Sequence, residues 1–362
     1  MADSHSSISS SDPKCLPRAF LLALLLFLML ETGLRFVDPR HLIPYNENFP
    51  FEHYAVRYYL ETAGPADISF IGSSRIREAV HLPTLADLLA GEEDLSRMSC
   101  ANYGCSGASA DVVEAVARLM MRQEKKPALI IYGVSPKQYL GRESNLDVCS
   151  VYWNFGDWYR ARSLHGEKAA KYFPDVFRTA IGRASLVFRY RKRPGDLASR
   201  LLSKKQVLTC PIRGEPSAWH TKLAGRNMRT TPTTPDKVRE HLEYYLVDGE
   251  YPMSEEKLKC VQNVIDLCQS NGIPVVLLEV PVADILLGHY PSGTQEKFLE
   301  MTQRLSVQNN VPFFRSAEIG AVLSDESFSE ESHLGVKGAV VYTKAVYQTV
   351  IRPRLKPVAS GP

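Results

Sequence analysis

Cysteine is scarce in this chain: seven residues in 362, none of them in a Cys-x-x-Cys pair. An odd number at irregular spacing (Cys15, Cys100, Cys105, Cys149, Cys210, Cys260 and Cys268) is not a disulfide framework, and it gives a structural zinc site no ligands to build on. Cys149 and Cys210 leave two readings open: a bridge within one region of an exported domain, or free or buried thiols. An excess of charge of one sign is also lacking. A formal net charge of +3 is too small to argue for nucleic acid, and no such partner is expected. No fixed-period repeat or low-complexity tract occurs, which excludes solenoids and biased linkers. The Gly-x-Gly-x-x-Gly fingerprint and the Walker lysine pattern are missing too, so a nucleotide or phosphate binder ranks last among the function classes. No cofactor and no metal is expected. What remains, 44% hydrophobic and 23% charged residues, is an ordinary globular balance with enough apolar mass for a large core.

The first long hydrophobic feature lies near the N-terminus. Residues 1–17 are polar and Ser-rich, and an uninterrupted apolar run follows from Ala19 to Leu30. Lys14 and Arg18 precede it and Glu31 ends it. A membrane-spanning helix needs about 20 residues, which the stretch from Ala19 to Phe36 just reaches if the flanking charges snorkel. No small-x-small cleavage site follows. The expectation is therefore an uncleaved signal anchor over 18–37, with the main domain outside the cytoplasm, preferred over a cleaved signal peptide. Residues 38–64 then form a juxtamembrane stretch rich in aromatics, packed on the domain or lying at the membrane interface.

From residue 65 the pattern alternates. Short apolar runs read as strands at 68–71, 98–103, 128–132, 274–280 and 311–314. Helical periodicity is found over 82–90, 110–122, 257–269, 295–307 and 338–351. Strand–turn–helix units repeated in this way imply right-handed crossovers and a parallel sheet, hence an α/β domain over 65–355 followed by a tail at 356–362. Between about 137 and 250 the alternation stops, and this segment reads as a mostly helical insertion. It holds Trp153, Trp158 and Trp219 and a basic run, Arg189–Arg193 with Arg200, Lys204 and Lys205. A solvated helix face is the preferred reading of that run over contact with lipid headgroups or an anionic polymer.

Three segments at the carboxyl ends of strands carry polar residues, at the edge where open parallel sheets bind ligands. The first is Phe70–Arg75, with Gly72, Ser73 and Ser74. A serine at a strand-to-helix turn can present its hydroxyl near backbone N–H groups, although this segment lacks the second glycine of Gly-x-Ser-x-Gly. The second is Asn102–Ser109, containing Gly104 and Gly107. The third is Asp325–Gly335, where Glu330 stands three residues before His333. A carboxylate so placed can orient a histidine that acts as a base. His289 is the second choice for that base.

In these segments the chain resembles the SGNH/GDSL hydrolase superfamily, over roughly residues 65–355 apart from the insertion. The resemblance implies a flavodoxin-like three-layer sandwich. It makes Ser74 the nucleophile, with Ser73 in the place of the family's aspartate and Arg75 beside it. It makes Gly107, in the block that begins at Asn102, an oxyanion donor, and Glu330 and His333 the acid and base. The family's third block, whose asparagine donates to the oxyanion, is replaced here by Gly133-Val-Ser-Pro136, which puts Ser135 in that place. The implied function is serine-dependent acyl-ester hydrolysis or O-acyl transfer on an extracytoplasmic substrate, an acylated small molecule or glycan, with a membrane acyltransferase as a partner in the second case. The alternative is a catalytically weak or inactive binding or assembly protein of the cell envelope, favoured by Ser73, Ser135 and Glu330 standing where the family has other residues.

Overall fold

The computed structural model describes residues 15–36, 51–141, 145–185, 187 and 234–355. Trp219, Cys210 and the basic run from Arg189 to Lys205 lie outside these residues, as do parts of the expected juxtamembrane stretch and insertion.

Five strands form one parallel sheet: β1 (Ile68–Ile71), β2 (Cys100–Asn102), β3 (Leu129–Val134), β4 (Val275–Glu279) and β5 (Phe313–Phe314). Their spatial order is β2-β1-β3-β4-β5. This is the flavodoxin-like order, with its switch point between β1 and β3. Every residue of β1, β3 and β4 is buried, as expected of strands covered on both faces. The alternation of side chains splits them between two cores. Ile68, Phe70, Leu129, Ile131, Val276 and Leu278 face one layer. Ile71, Ile130, Tyr132, Val275 and Leu277 face the other.

The first layer holds α3 (Ser74–Ala79), α4 (Leu82–Ala90) and α14 (Val336–Val346). The second holds α5 (Ala110–Met121), α11 (Glu255–Ser270) and α13 (Thr294–Asn309), joined by α2 (Phe51–Ala63). The insertion supplies α6 (Leu146–Ser150), α7 (Phe155–His165), α8 (Glu167–Ala170) and α9 (Phe173–Ala184), then α10 (Pro235–Glu243). Short α12 (Asp284–Leu287) follows β4, and α15 (Arg352–Leu355) is the last helix described. A small third core of Leu140, Val238, Leu242, Tyr251 and Leu286 joins α10 to α12. Cys149, one half of the bridge considered above, is a buried free thiol.

The expected signal anchor over 18–37 falls partly on described residues. The segment does form a helix, α1 (Cys15–Arg35), but among the described residues no helix is long and apolar enough to cross a membrane. The strict apolar run from Ala19 to Leu30 rises about 18 Å at 1.5 Å per residue, and the stretch from Ala19 to Phe36 about 27 Å, against a hydrocarbon thickness of about 30 Å. The last turn of α1 is moreover held by the domain. Glu31 accepts hydrogen bonds from Ser185 Oγ and Val187 N, both at 3.0 Å, Arg35 donates to the Ala184 carbonyl at 3.1 Å, and Leu34 is buried. From Phe20 to Leu30 the apolar side chains are exposed. Of the two readings of the 38–64 stretch, the described part packs on the domain: Leu60 is fully buried, and Arg57 reaches the Val151 carbonyl (2.9 Å) and Thr179 Oγ1 (3.0 Å).

Gly72 and Gly104 follow β1 and β2, Gly133 is the next-to-last residue of β3, and the three allow α3 to begin directly on the sheet edge. Gly72 has φ +148, a conformation L residues rarely adopt. A Cβ on Gly133 would lie 2.6 Å from Ile76 Cβ, and one on Gly104 would lie 2.8 Å from the Ser73 carbonyl oxygen. Ile76, on the first turn of α3, fills the space that these residues leave. Gly133→Ala is therefore expected to lower stability by about 1–3 kcal/mol through overpacking. Because Ile76 sits two residues from Ser74, ester turnover should fall with it. Chemical denaturation and an ester assay on the same preparation check this; an unchanged midpoint with unchanged turnover would show that α3 is free to move.

Candidate active site

Ser74 is the first residue of α3, and Ser73 is its N-cap with an extended backbone (φ −85, ψ −174). Ser73 Oγ accepts from Arg75 N at 3.4 Å. This capping sets the direction of the first turn and leaves the Ser74 N–H, at the helix start, without an intrahelical acceptor. Asn102 braces the other end of the same helix. Its amide nitrogen donates to the carbonyls of Ile76 (2.9 Å) and Arg77 (3.3 Å), while its oxygen accepts from Gly104 N (3.0 Å). Ser73 and Asn102, both expected as ligand-binding groups, are thus engaged in holding α3.

His333 arrives from the far end of the chain. Strands β6 (Phe328–Glu330) and β7 (His333–Leu334) form a two-stranded antiparallel hairpin in which Glu330 pairs with His333, with an irregularity between Phe328 and Glu330. That register puts the carboxylate beside the ring. Glu330 Oε1 accepts from His333 Nδ1, and Ser332 Oγ lies 3.0 Å from the same nitrogen. The other ring nitrogen, Nε2, lies 2.8 Å from Ser74 Oγ, across 259 positions of sequence. A proton on Nδ1 is the tautomer this network favours, since the carboxylate can only accept. Nε2 is then free to accept the Ser74 hydroxyl proton. The alternative base, His289, turns its Nδ1 to the carbonyl of Ile285 at 2.8 Å.

The remaining expected residues lie around this chain. Cys105 N donates to the Gly72 carbonyl (3.1 Å), which holds the second segment alongside the Ser74 turn. The next N–H, that of Ser106, goes to Glu52 of α2 (3.0 Å), and Gly107 follows, exposed, with φ +67. Ser135 is buried just past β3. Its N–H donates to Gln138 Oε1 (2.9 Å), while Ser135 Oγ and Gln138 Nε2 are buried without a hydrogen-bond partner. Arg75 is 4% exposed, and its Nη1 lies 3.5 Å from the Tyr290 hydroxyl.

Several groups at this edge were not legible in the sequence. Lys137, two residues after Ser135, is half-buried, with its Nζ 4.9 Å above the Tyr245 ring. Burial first, and Arg75 second, push its pKa down to about 8, against the opposite pull of Glu330 and Tyr244. Tyr251 stacks edge-on against Tyr290, with centroids 5.5 Å apart. Beside them, His241 Nδ1 pairs with the buried Glu331 at 2.7 Å, attaching α10 to the hairpin that carries His333. Burial acts to raise the Glu331 pKa, but the hydrogen bond and charge of His241 together with a backbone hydrogen bond outweigh it, so the carboxyl is held below its usual range. Among the described residues no group of His, Cys, Asp and Glu could hold a metal ion.

No protein-family model matches the chain, and no curated protein matches it. Solved structures similar to the chain include two bacterial proteins. One is a candidate acylhydrolase from Bacteroides fragilis, 11% identical, covering 86% of this chain and 100% of its own, with a TM-score of 0.37. The other is a GDSL-like lipase from Bacteroides thetaiotaomicron, 10% identical, covering 83% of this chain and 98% of its own, also with a TM-score of 0.37. The serine, histidine and acid that the sequence resemblance singled out are the three groups that meet at this sheet edge.

Proposed function

We propose that the chain is a serine-dependent acyl-ester hydrolase working through Ser74, His333 and Glu330. The observation that carries this reading is the 2.8 Å contact between Ser74 Oγ and His333 Nε2, with Glu330 on the far side of the ring. A hydroxyl alone is a weak nucleophile at neutral pH, and a nucleophile hydrogen-bonded to a base that a third group orients is the arrangement that activates it.

The steps follow from the geometry. Ser74 Oγ attacks the ester carbonyl carbon as its proton passes to His333 Nε2. Glu330 stabilises the imidazolium through the Nδ1–H. The N–H groups of Ser74 and Gly107 are the proposed donors to the oxyanion, with Ser135 Oγ as a third. The tetrahedral adduct collapses, the alkoxide leaves with the proton from His333 Nε2, and an acyl-Ser74 ester remains. Water, deprotonated by the same Nε2, then releases the acid.

A second reading, transfer of the acyl group to a hydroxyl of an acceptor such as a glycan, draws support from the cover over this edge. Ser74 is only 8% exposed, and α10 with the residues that follow it stands beside the His333 hairpin. Limiting water around an acyl-serine favours an acceptor hydroxyl over hydrolysis.

A fluorophosphonate probe tests the shared first half of both readings. Covalent labelling mapped to Ser74, lost in Ser74→Ala, is the expected result. Absence of labelling on folded protein would return the chain to the class of binding proteins. Adding acceptor polyols during turnover of an acetyl ester then separates the two readings by whether acetylated acceptor accumulates.

A further inference from the structure

The cations next to Ser74 have no role in the mechanism above. Arg75 is buried, and among the described residues neither it nor Lys137 forms an ion pair with a carboxylate. The polar contact that Arg75 does make is a long one, 3.5 Å to a neutral phenol, Tyr290 Oη. Glu330 is the carboxylate that influences Lys137, and it is already engaged with His333 Nδ1. A buried guanidinium that disfavours the charge on a half-buried lysine, with no carboxylate paired to either, is a costly arrangement in a folded chain. Such a cost is offset when an anion binds between them.

The surroundings suit an anion as well. Tyr245, Tyr251 and Tyr290 lie around the two cations; the Tyr245 hydroxyl is 3.3 Å from His241 Nε2, and the Tyr290 hydroxyl, which accepts from Arg75, can donate to an oxyanion. Burial acts to lower the Arg75 pKa, and these phenols more than offset it, so the guanidinium stays charged. The pieces come from separate parts of the fold: α3, the turn after β3, the segment after α10 and the segment after α12. Only the packing of α10 against α12 brings the tyrosines to this edge of the sheet. Arg75 follows Ser74 directly in sequence, and Lys137 senses Glu330, so the cluster lies beside the reacting atoms.

We infer that Arg75 and Lys137, with Tyr245, Tyr251 and Tyr290, form an anion subsite, and that the substrate is an ester carrying a carboxylate, phosphate or sulfate close to the scissile bond. This deepens the proposed ester chemistry and rests on it for the word substrate; the binding of an anion does not. The negative group belongs either to the acyl part, as in a half-ester of a dicarboxylic acid, or to the alcohol part, as in an acylated uronate or sugar phosphate. Both present the same chemistry to the cations.

The test uses the full chain and two pairs of esters. On the acyl side, p-nitrophenyl hemisuccinate is compared with p-nitrophenyl butyrate; on the alcohol side, 4-acetoxybenzoate is compared with 4-acetoxybenzamide. The expected result is at least a tenfold higher kcat/KM for the anionic member of one pair, which also says which part carries the charge. That ratio should fall at least tenfold in Lys137→Gln and in Arg75→Gln. A ratio of one or less in both pairs, or a preference unchanged in the folded Lys137→Gln protein, overturns the subsite and leaves the esterase reading intact. If no ester is turned over, inorganic phosphate and succinate are titrated calorimetrically into Ser74→Ala protein. Binding there that is lost in Ser74→Ala/Lys137→Gln supports the subsite while the esterase reading falls; no binding removes both.

Discussion

Ser74→Ala should reduce turnover of an activated acetyl ester by a factor on the order of 10⁴–10⁶ while leaving the fold in place. The size follows from what is removed. The rest of the site can still bind an ester and, through any oxyanion donors, retain a modest advantage over solution, but no covalent intermediate forms without the hydroxyl. The stability change should be small, because Ser74 Oγ meets only His333 Nε2 among the described side chains, and the cap of α3 is made by Ser73. The measurement is an initial rate at saturating ester together with a thermal unfolding midpoint. Turnover within tenfold of the parent protein, from a folded Ser74→Ala variant, would remove Ser74 from the chemistry.

His333→Gln should cost almost as much, and the double variant with Ser74→Ala should lose nothing further. That lack of additivity is the signature of two residues acting as one unit, since either loss alone already prevents formation of the acyl-serine. Glutamine nearly preserves the volume and can keep a hydrogen bond to Ser74, but it cannot take the proton. Glu330→Gln should cost less, roughly 10–10³-fold, because Ser332 Oγ stays 3.0 Å from Nδ1 and can still accept its proton. Additive losses in the double variant would mean that the 2.8 Å contact is a structural hydrogen bond and that the base lies elsewhere.

The two cations beside the nucleophile give these variants a further use. Lys137 has a pKa lowered to about 8 by burial and by Arg75, so it is the group at this edge most sensitive to an arriving negative charge. An anionic ester bound there would raise the Lys137 pKa again and hold its charge to higher pH. Comparing neutral and anionic esters in the same variants therefore separates damage to the chemistry from damage to recognition.

Much of the fold was legible because buried parallel strands leave a plain trace. Ile68–Ile71, Leu129–Val134 and Val275–Glu279 are buried throughout, so each appears as a nearly continuous apolar run, and each run is closed by a residue that breaks the pattern. The helices α5, α11 and α13 show 3.6-residue periodicity for the complementary reason, that only one face is covered. By contrast α2 was not legible as a core helix. Glu52, His53 and Arg57 are buried in it, and their partners, Arg77, Tyr152 and Val151, lie 25 to 99 residues away in sequence. A local pattern cannot reveal charges that are neutralised at such separations. The segment over 18–37 shows the same limit from the other direction. Its apolar run was plain, but the contacts of Glu31 and Arg35 with the folded domain depend on where α9 ends in space.

The sequence alone determined the order of strands and helices, the glycines on which the strands end, and the three-residue spacing of Glu330 and His333, because each depends on residues close together along the chain. Tertiary structure decided that Ser74 and His333 touch, that Asn102 and Ser73 hold a helix, and that Lys137 and three tyrosines gather around Arg75. Those outcomes depend on crossover connections and on the docking of α10, which set distances between residues that no local spacing encodes.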